Sequence, residues 1–142
     1  MTPLQLADDR MCFGCGEKNP RGLKLPFKVD LARRRIRTRW TPTKEFQGYA
    51  DIMHGGILGL VLDELMGNLL WKLGCPSVTV ELTVRFRHPA RVGEPIEGEG
   101  WVVSEEPLRS RKRIVTESVA RRAGGRILAT ASATYFPVRN KA

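Results

Sequence analysis

His54-Gly55-Gly56 and Asp63, nine positions after the histidine, are the residues whose types and spacing could do chemistry together. Two glycines at a helix N-terminus expose backbone N–H groups that the helix itself cannot satisfy. Such groups favour an oxygen that gains negative charge as an acyl group reacts. A carboxylate in reach supplies a nucleophile or a base, and the pair is a minimal kit for hydrolysing an activated acyl group. Gly56 and Asp63 lie seven residues apart, roughly 10 Å along a helix axis. One carbonyl is hard to place between both within a single helix. A site completed by Asp63 of a second subunit is easier to build, so the spacing predicts a composite dimer interface.

The element that must position these residues is one long helix, predicted from Gly55 to Leu73 and ended by Gly74 with Pro76 beyond it. It is apolar nearly all round (Ile57, Leu58, Leu60, Val61, Leu62, Leu65, Leu69, Leu70, Trp71), the pattern of a helix buried on most sides. Gly56, Asp63 and Gly67 fall within a narrow wedge of it, with Gly59 beside them. Each helical glycine costs roughly 1 kcal/mol relative to alanine, so something comes close on that side. A ligand is one reading; tight packing with Asp63 merely hydrogen-bonded is the other. Glu64, about 100° round the helix from Asp63, is the rival carboxylate, and a polar contact with Asn68 one turn on is its default reading.

The rest of the chain reads as strand. Two short strands are expected around Leu23–Asp30 and Arg34–Trp40, followed by a loop from Thr41 to Met53 containing Pro42 and Gly48. After the helix, Val78, Val80, Leu82, Val84 and Phe86 alternate with polar residues at period two. Further strands are expected at Ile96–Ser104, Arg113–Arg121 and Arg126–Val138, the last two joined by a hairpin at Gly124-Gly125. In the final strand Ile127, Ala129, Ala131, Ala133 and Tyr135 share a face and are mostly small, as if something bulky packs close by. The order predicts an α+β domain, residues 23–142, with a long antiparallel sheet wrapped around one central helix. Residues 1–22 are expected to be an irregular lead-in.

Composition narrows the function classes. With 142 residues, 42% hydrophobic and 27% charged, the chain suits one globular domain. No apolar run is long enough to span a membrane and no signal peptide is visible, so a soluble, cytoplasmic protein is expected. The three cysteines argue against a disulfide framework. Cys12 and Cys15 form a lone CxxC without the second closely spaced pair of a structural zinc site, and its loop-like surroundings do not suit a redox motif. No metal is expected, and the pair reads as a small apolar anchor for the lead-in. The net charge of +9 favours polyanionic partners in general. Arg33, Arg35, Arg37 and Arg39 alternate as on a solvated sheet face, with few aromatics suited to base stacking, so nucleic acid is not the expected partner.

Several stretches resemble a known family. Cys12-Phe13-Gly14-Cys15-Gly16, Asn19-Pro20-Arg21-Gly22-Leu23, Phe46-Gln47-Gly48, His54-Gly55-Gly56 and Leu62-Asp63-Glu64 are similar to the hotdog-fold acyl-CoA thioesterases, most of all the phenylacetic-acid-degradation type. Arg87-His88-Pro89-Ala90-Arg91-Val92-Gly93-Glu94 resembles the strand end and turn of that family, and the likeness runs from about residue 12 to 137. The resemblance implies a hotdog fold and a homodimer, or a tetramer built as a dimer of dimers. It implies that Gly56, with Gly55 nearby, donates an N–H to the thioester oxygen, and that Asp63 acts as nucleophile or as the base that activates water. Thr79 takes the place of a hydroxyl residue that helps position the water, and His54 shapes the loop. The family's asparagine six positions before the histidine is replaced by Gly48, for which Gln47 could substitute. Coenzyme A, as part of the substrate rather than a cofactor, would give the positive charge a purpose, with Arg87, Arg91, Arg111 and Lys112 as candidates for its phosphates.

Two rivals share this fold class. An acyl-thioester hydratase or dehydratase would want His54 as a base beside a carboxylate. A non-catalytic acyl-CoA-binding protein would bind without turnover.

Overall fold

A single 18-residue helix, α1 (Gly55–Lys72), organises the molecule. The computed structural model describes residues 4–140; residues 1–3 of the expected lead-in and 141–142 of the expected domain lie outside the described residues. In chain order the strands are β1 (Gln5–Leu6), β2 (Lys28–Asp30), β3 (Arg35–Trp40), β4 (Ser77–Phe86), β5 (Ile96–Leu108), β6 (Arg111–Arg122), β7 (Ile127–Pro137) and β8 (Arg139–Asn140). Six of them form one antiparallel sheet in the spatial order β2-β3-β5-β6-β7-β4. The helix packs along one face of this sheet, the hotdog arrangement the sequence predicts.

Local chemistry explains where the elements begin and end. His54 caps α1, its side chain accepting the Gly56 N–H. At the other end Gly74 takes a φ of +79°, Gly74 N–H bonds the Trp71 carbonyl and Cys75 N–H bonds that of Leu70, the pattern that closes helices on a glycine. The core is made by Leu58, Val61, Leu62, Leu65, Met66, Leu69 and Leu70 of the helix against inward residues of the sheet. Ala129, Ala131 and Ala133 are buried beneath the helix, so the bulky neighbour anticipated from their size is α1 itself. Closest approach occurs over β5: a Cβ on Gly98 would stand 2.7 Å from Leu65 Cδ1.

The structure differs from expectation in five places. The lead-in is not wholly irregular, because β1 pairs in parallel with β8. The strand expected from Leu23 begins only at Lys28. Lys24 has a positive φ of 54°, and the N–H groups of Leu23 and Leu25 go instead to the carbonyls of Phe13 and Gly14. That exchange straps the Cys12–Gly16 loop onto the domain. The loop before the helix holds a short 3-10 turn at Lys44–Phe46, and β5 runs on to Leu108, past the expected end at Ser104.

The fifth difference lies in β4. Strict alternation would put Thr79 on the face opposite Leu82 and Val84. The register instead slips between Thr79 and Glu81, a β-bulge at Val80. Thr79 therefore sits opposite Tyr135 and shares the helix-facing side with Leu82, Val84 and Phe86. β4 is also a sheet edge, unpaired on its outer side, with Val80, Leu82 and Phe86 exposed. On the outer face, Arg35 and Arg39 pair with Glu99 and Glu97 of β5, as expected of a solvated charged face. No described helix is long and apolar enough to cross a membrane.

Candidate functional site

Asp63 lies midway along α1, half-buried, where the helix crosses the β4–β7 pair. The Tyr135 hydroxyl donates to Asp63 Oδ1 at 2.6 Å and the Thr79 hydroxyl donates to the same oxygen at 2.9 Å. Tyr135 also reaches the Asp63 carbonyl at 3.1 Å. Burial, then the charge of Asp63, pushes the Tyr135 phenol well above its ordinary value, so it stays a proton donor. Both donors sit on one oxygen, and Oδ2 has no hydrogen-bond partner among the described residues. Asp63, Thr79 and Tyr135 line a cleft of about 450 Å³ together with Cys12, Cys15, Glu64, Gly67, Asn68, Ser77 and part of the lead-in.

The glycines beside Asp63 lie within ordinary contact distance of the sheet. A Cβ on Gly67 would meet Tyr135 Oη at 3.7 Å and one on Gly59 would meet Val84 at 3.6 Å, both ordinary contacts. The wedge faces the sheet with room for a Cβ at both positions, and Gly67 also lines the Asp63 cleft.

The helix entrance forms a second region. His54, Gly56 and Gln47 line a cleft of about 670 Å³ with Phe13, Arg21, Glu45, Phe46 and Ile57. On the other side of His54, Gly55 shares a cleft of about 630 Å³ with Tyr49, Phe86, Arg87 and His88. The Gly56 N–H donates to His54 Nδ1 at 2.9 Å, so the capping ring takes the donor first considered for an oxyanion. The Gly55 N–H has no partner among the described residues and is the freer donor. Neither entrance cleft includes Asp63, and the Asp63 cleft includes neither glycine. Within one chain the two halves of the chemical kit stay apart.

The remaining candidates divide similarly. Gln47 uses Oε1 to accept the Asp51 N–H at 3.0 Å, a loop-shaping role. Arg87 lines the Gly55 cleft, and Arg91 stands close by, its backbone bridged to Ile52. Arg111 stacks over Phe136 at 4.2 Å and Lys112 pairs with Glu105 at 3.7 Å. These two lie at the far end of β6, roughly 26–30 Å of strand from Ala120, which pairs with Ala129 near the helix entrance. The four phosphate candidates therefore do not converge in one chain. Tyr135 and Arg21 are absent from the sequence-derived site; the cross-strand pairing of Tyr135 with Thr79 is the signal that finds the first.

Glu64 makes the contact expected of it: Asn68 Nδ2 donates to Glu64 Oε2 at 2.7 Å. It also accepts from the Cys12 thiol at 3.1 Å, and Cys15 reaches Asn68 Oδ1 at 3.7 Å. Cys12, Cys15 and Glu64 are the one group of metal-type ligands that converges among the described residues. Burial, then the charge of Glu64, raises the Cys15 thiol far above its ordinary range.

No curated protein matches the chain in sequence. Among solved structures, a thioesterase superfamily protein superposes with a TM-score of 0.80 at 24% identity, over 89% of this chain. The chain spans only 60% of that protein's length. A phenylacetic acid degradation-related protein from Ralstonia eutropha, described as a putative thioesterase, gives 0.69 at 24% identity over 80% of this chain and 85% of its own. A hypothetical thioesterase from Streptococcus pneumoniae, solved with coenzyme A, gives 0.71 at 18% over 81% and 90%. That protein has also been solved with an aspartate, and with a threonine sixteen positions later, each replaced by alanine. The thioesterase superfamily model matches residues 50–129, from the loop before α1 into β7, a span that includes Asp63 and Thr79 and stops short of Tyr135. That is more than half of the 142 residues, and the chain belongs to the thioesterase superfamily.

Proposed function

We propose that the protein hydrolyses acyl-CoA thioesters to a carboxylic acid and free coenzyme A, with Asp63 as the reacting carboxylate. The observation that carries this reading is the asymmetric seat of Asp63. Tyr135 and Thr79 both hold Oδ1, which leaves Oδ2 without a partner in a residue that lines the cleft. Oδ2 attacks the thioester carbonyl, or takes a proton from a water that does so. In the first course the C–S bond breaks to leave an acyl–Asp63 anhydride, which water then hydrolyses to the acid and the free carboxylate. In the second the water oxygen adds to the acyl carbon directly and the C–S bond breaks. In both the sulfur leaves and takes up a proton.

The oxyanion donor is a helix N-terminus, and Gly55 offers the free N–H. Because that donor and Asp63 line separate clefts, the site is completed by two chains. The exposed edge of β4 supports this arrangement. It is ten residues long, has Leu82, Val84 and Phe86 on its helix-facing side and carries Thr79, so a second copy pairing along it extends the sheet and brings two sites to the seam. Arg87 and Arg91, at the entrance, are better placed for coenzyme A phosphates than Arg111 and Lys112. The aspartate–threonine spacing of the Streptococcus pneumoniae variants equals that of Asp63 and Thr79, which supports pairing these two residues in one site. His54 serves as a cap, and its engaged Nδ1 weighs against a hydratase base.

Free-thiol release from a panel of aliphatic and aromatic acyl-CoAs, by wild type and Asp63→Asn side by side, tests the reading. Turnover by wild type with a loss on the order of 10²–10⁴ in the variant is expected. Equal turnover by both would remove Asp63 from the reaction. Tight binding without turnover by wild type would make the chain an acyl-CoA-binding protein.

A further inference from the structure

Glu64 points away from the sheet, toward the lead-in, where the Cys12–Gly16 loop is pressed onto the helix. A Cβ on Gly14 would lie 2.3 Å from Glu64 Cδ, and one on Gly16 would lie 2.4 Å from the Cys12 nitrogen. Glycine at both positions lets the loop fold so tightly that its two cysteines flank the carboxylate. Backbone bonds fix the fold: Gly16 N–H to the Cys12 carbonyl at 2.8 Å, and the Leu23 and Leu25 straps at 3.0 Å each.

We propose that Cys12, Cys15 and Glu64 form a binding site for one zinc ion, with a fourth position open to the cleft. The ligand atoms of the three lie within 4.8 Å of one another, and the Cys12 sulfur is 3.1 Å from Glu64 Oε1. A tetrahedral zinc with its usual sulfur and oxygen distances spaces such a pair by roughly 3.5 Å, so a few tenths of an ångström admit the ion. Two thiolates and one carboxylate suit zinc rather than magnesium or calcium, which take oxygen donors. Binding replaces the two thiol protons, which go to solvent.

The carboxylate is also supported as a ligand would be. Asn68 Nδ2 holds Glu64 Oε2 at 2.7 Å and the Glu64 carbonyl at 2.9 Å, fixing the orientation of Oε1. Cysteine spacing alone supplies two ligands; the third comes from the helix, 52 residues along from Cys12. The site ties the lead-in to α1 and forms a wall of the Asp63 cleft. It does not depend on the chain being a thioesterase, and its test reads no turnover.

Reduced, chelator-stripped protein titrated with Co²⁺ and then Zn²⁺ is expected to take up one equivalent. It should show a near-ultraviolet sulfur-to-cobalt band that zinc displaces. The band should disappear in Cys12→Ser and Cys15→Ser and persist in Cys75→Ser. Should the serine variants fail to fold, Glu64→Gln and Asn68→Ala decide: both keep the thiols, and Asn68→Ala is expected to weaken binding on the order of 10–100-fold. Absence of the band in reduced wild type, its survival in Cys12→Ser, its loss in Cys75→Ser, or unchanged affinity in Glu64→Gln would each overturn the site.

Discussion

Asp63 and Glu64 are adjacent carboxylates on one helix, and they live in different surroundings. Asp63 faces the β4–β7 pair, where a buried phenol and a threonine hydroxyl converge on one of its oxygens. Glu64, a third of a turn away, faces the lead-in, where a thiol and an amide occupy both of its oxygens. Asp63 is thus held by one edge and open at the other, as a reacting group must be. Glu64 is gripped at both, as a structural or metal-ligating group would be. The comparison teaches that role follows from the partner element, which neither residue type nor helical spacing specifies.

Turnover should separate the two carboxylates most sharply. Asp63→Asn is expected to lose on the order of 10²–10⁴ in kcat, whereas Glu64→Gln should stay within a few-fold, measured by thiol release. Comparable losses in both would erase the distinction. Next in size is the seat of Asp63. Tyr135→Phe removes one hydrogen bond to a charged oxygen, about 1.5–3 kcal/mol, and a fall in kcat of roughly tenfold or more is expected with KM little changed. A change confined to KM would make Tyr135 part of the pocket rather than a positioning residue.

Glycine substitutions sharpen the contrast on the stability side. Gly14→Ala drives a Cβ into Glu64 and should cost about 1–3 kcal/mol in denaturant melts. Gly67→Ala, beside Asp63, has room at 3.7 Å and should be neutral or gain up to roughly 1 kcal/mol from helix propensity. The smallest effect concerns pH. The folded state raises the Tyr135 phenol above its unfolded value of 10.0, so its proton is retained in both states below that pH. Above it the unfolded chain ionises first and stability falls, by at most about 1.4 kcal/mol per pH unit from this one proton. Tyr135→Phe should remove that share of the alkaline slope.

Local pattern made much of this legible. The apolar run from Ile57 to Trp71, the glycine stop at Gly74 and the Gly124-Gly125 hairpin predict the helix and strand order that the structure holds. Asp63 and the helix entrance follow from residue type and spacing. Thr79 did not follow from periodicity, because the bulge at Val80 reverses the face that alternation assigns to it. Tyr135 was hidden because its value depends on a cross-strand register set by the whole sheet. The Glu64 cluster joins segments 52 residues apart, and no local pattern predicts that the lead-in folds onto that face. The four basic candidates were chosen by charge, and charge does not say at which end of a strand a residue falls.

Subunit complementation tests most directly whether the site is shared between chains. Gly55→Pro deletes the free N–H at a helix position that accepts proline, and His54, with φ of −58° and ψ of 130°, already has the backbone a following proline requires. Mixed with Asp63→Asn under conditions of subunit exchange, half of the dimers are mixed and each holds one intact site. The account predicts recovery of about a quarter of wild-type thiol release from two inactive parents. No recovery, with mixed dimers present by native mass spectrometry, would contradict it and place both groups of the site within a single chain.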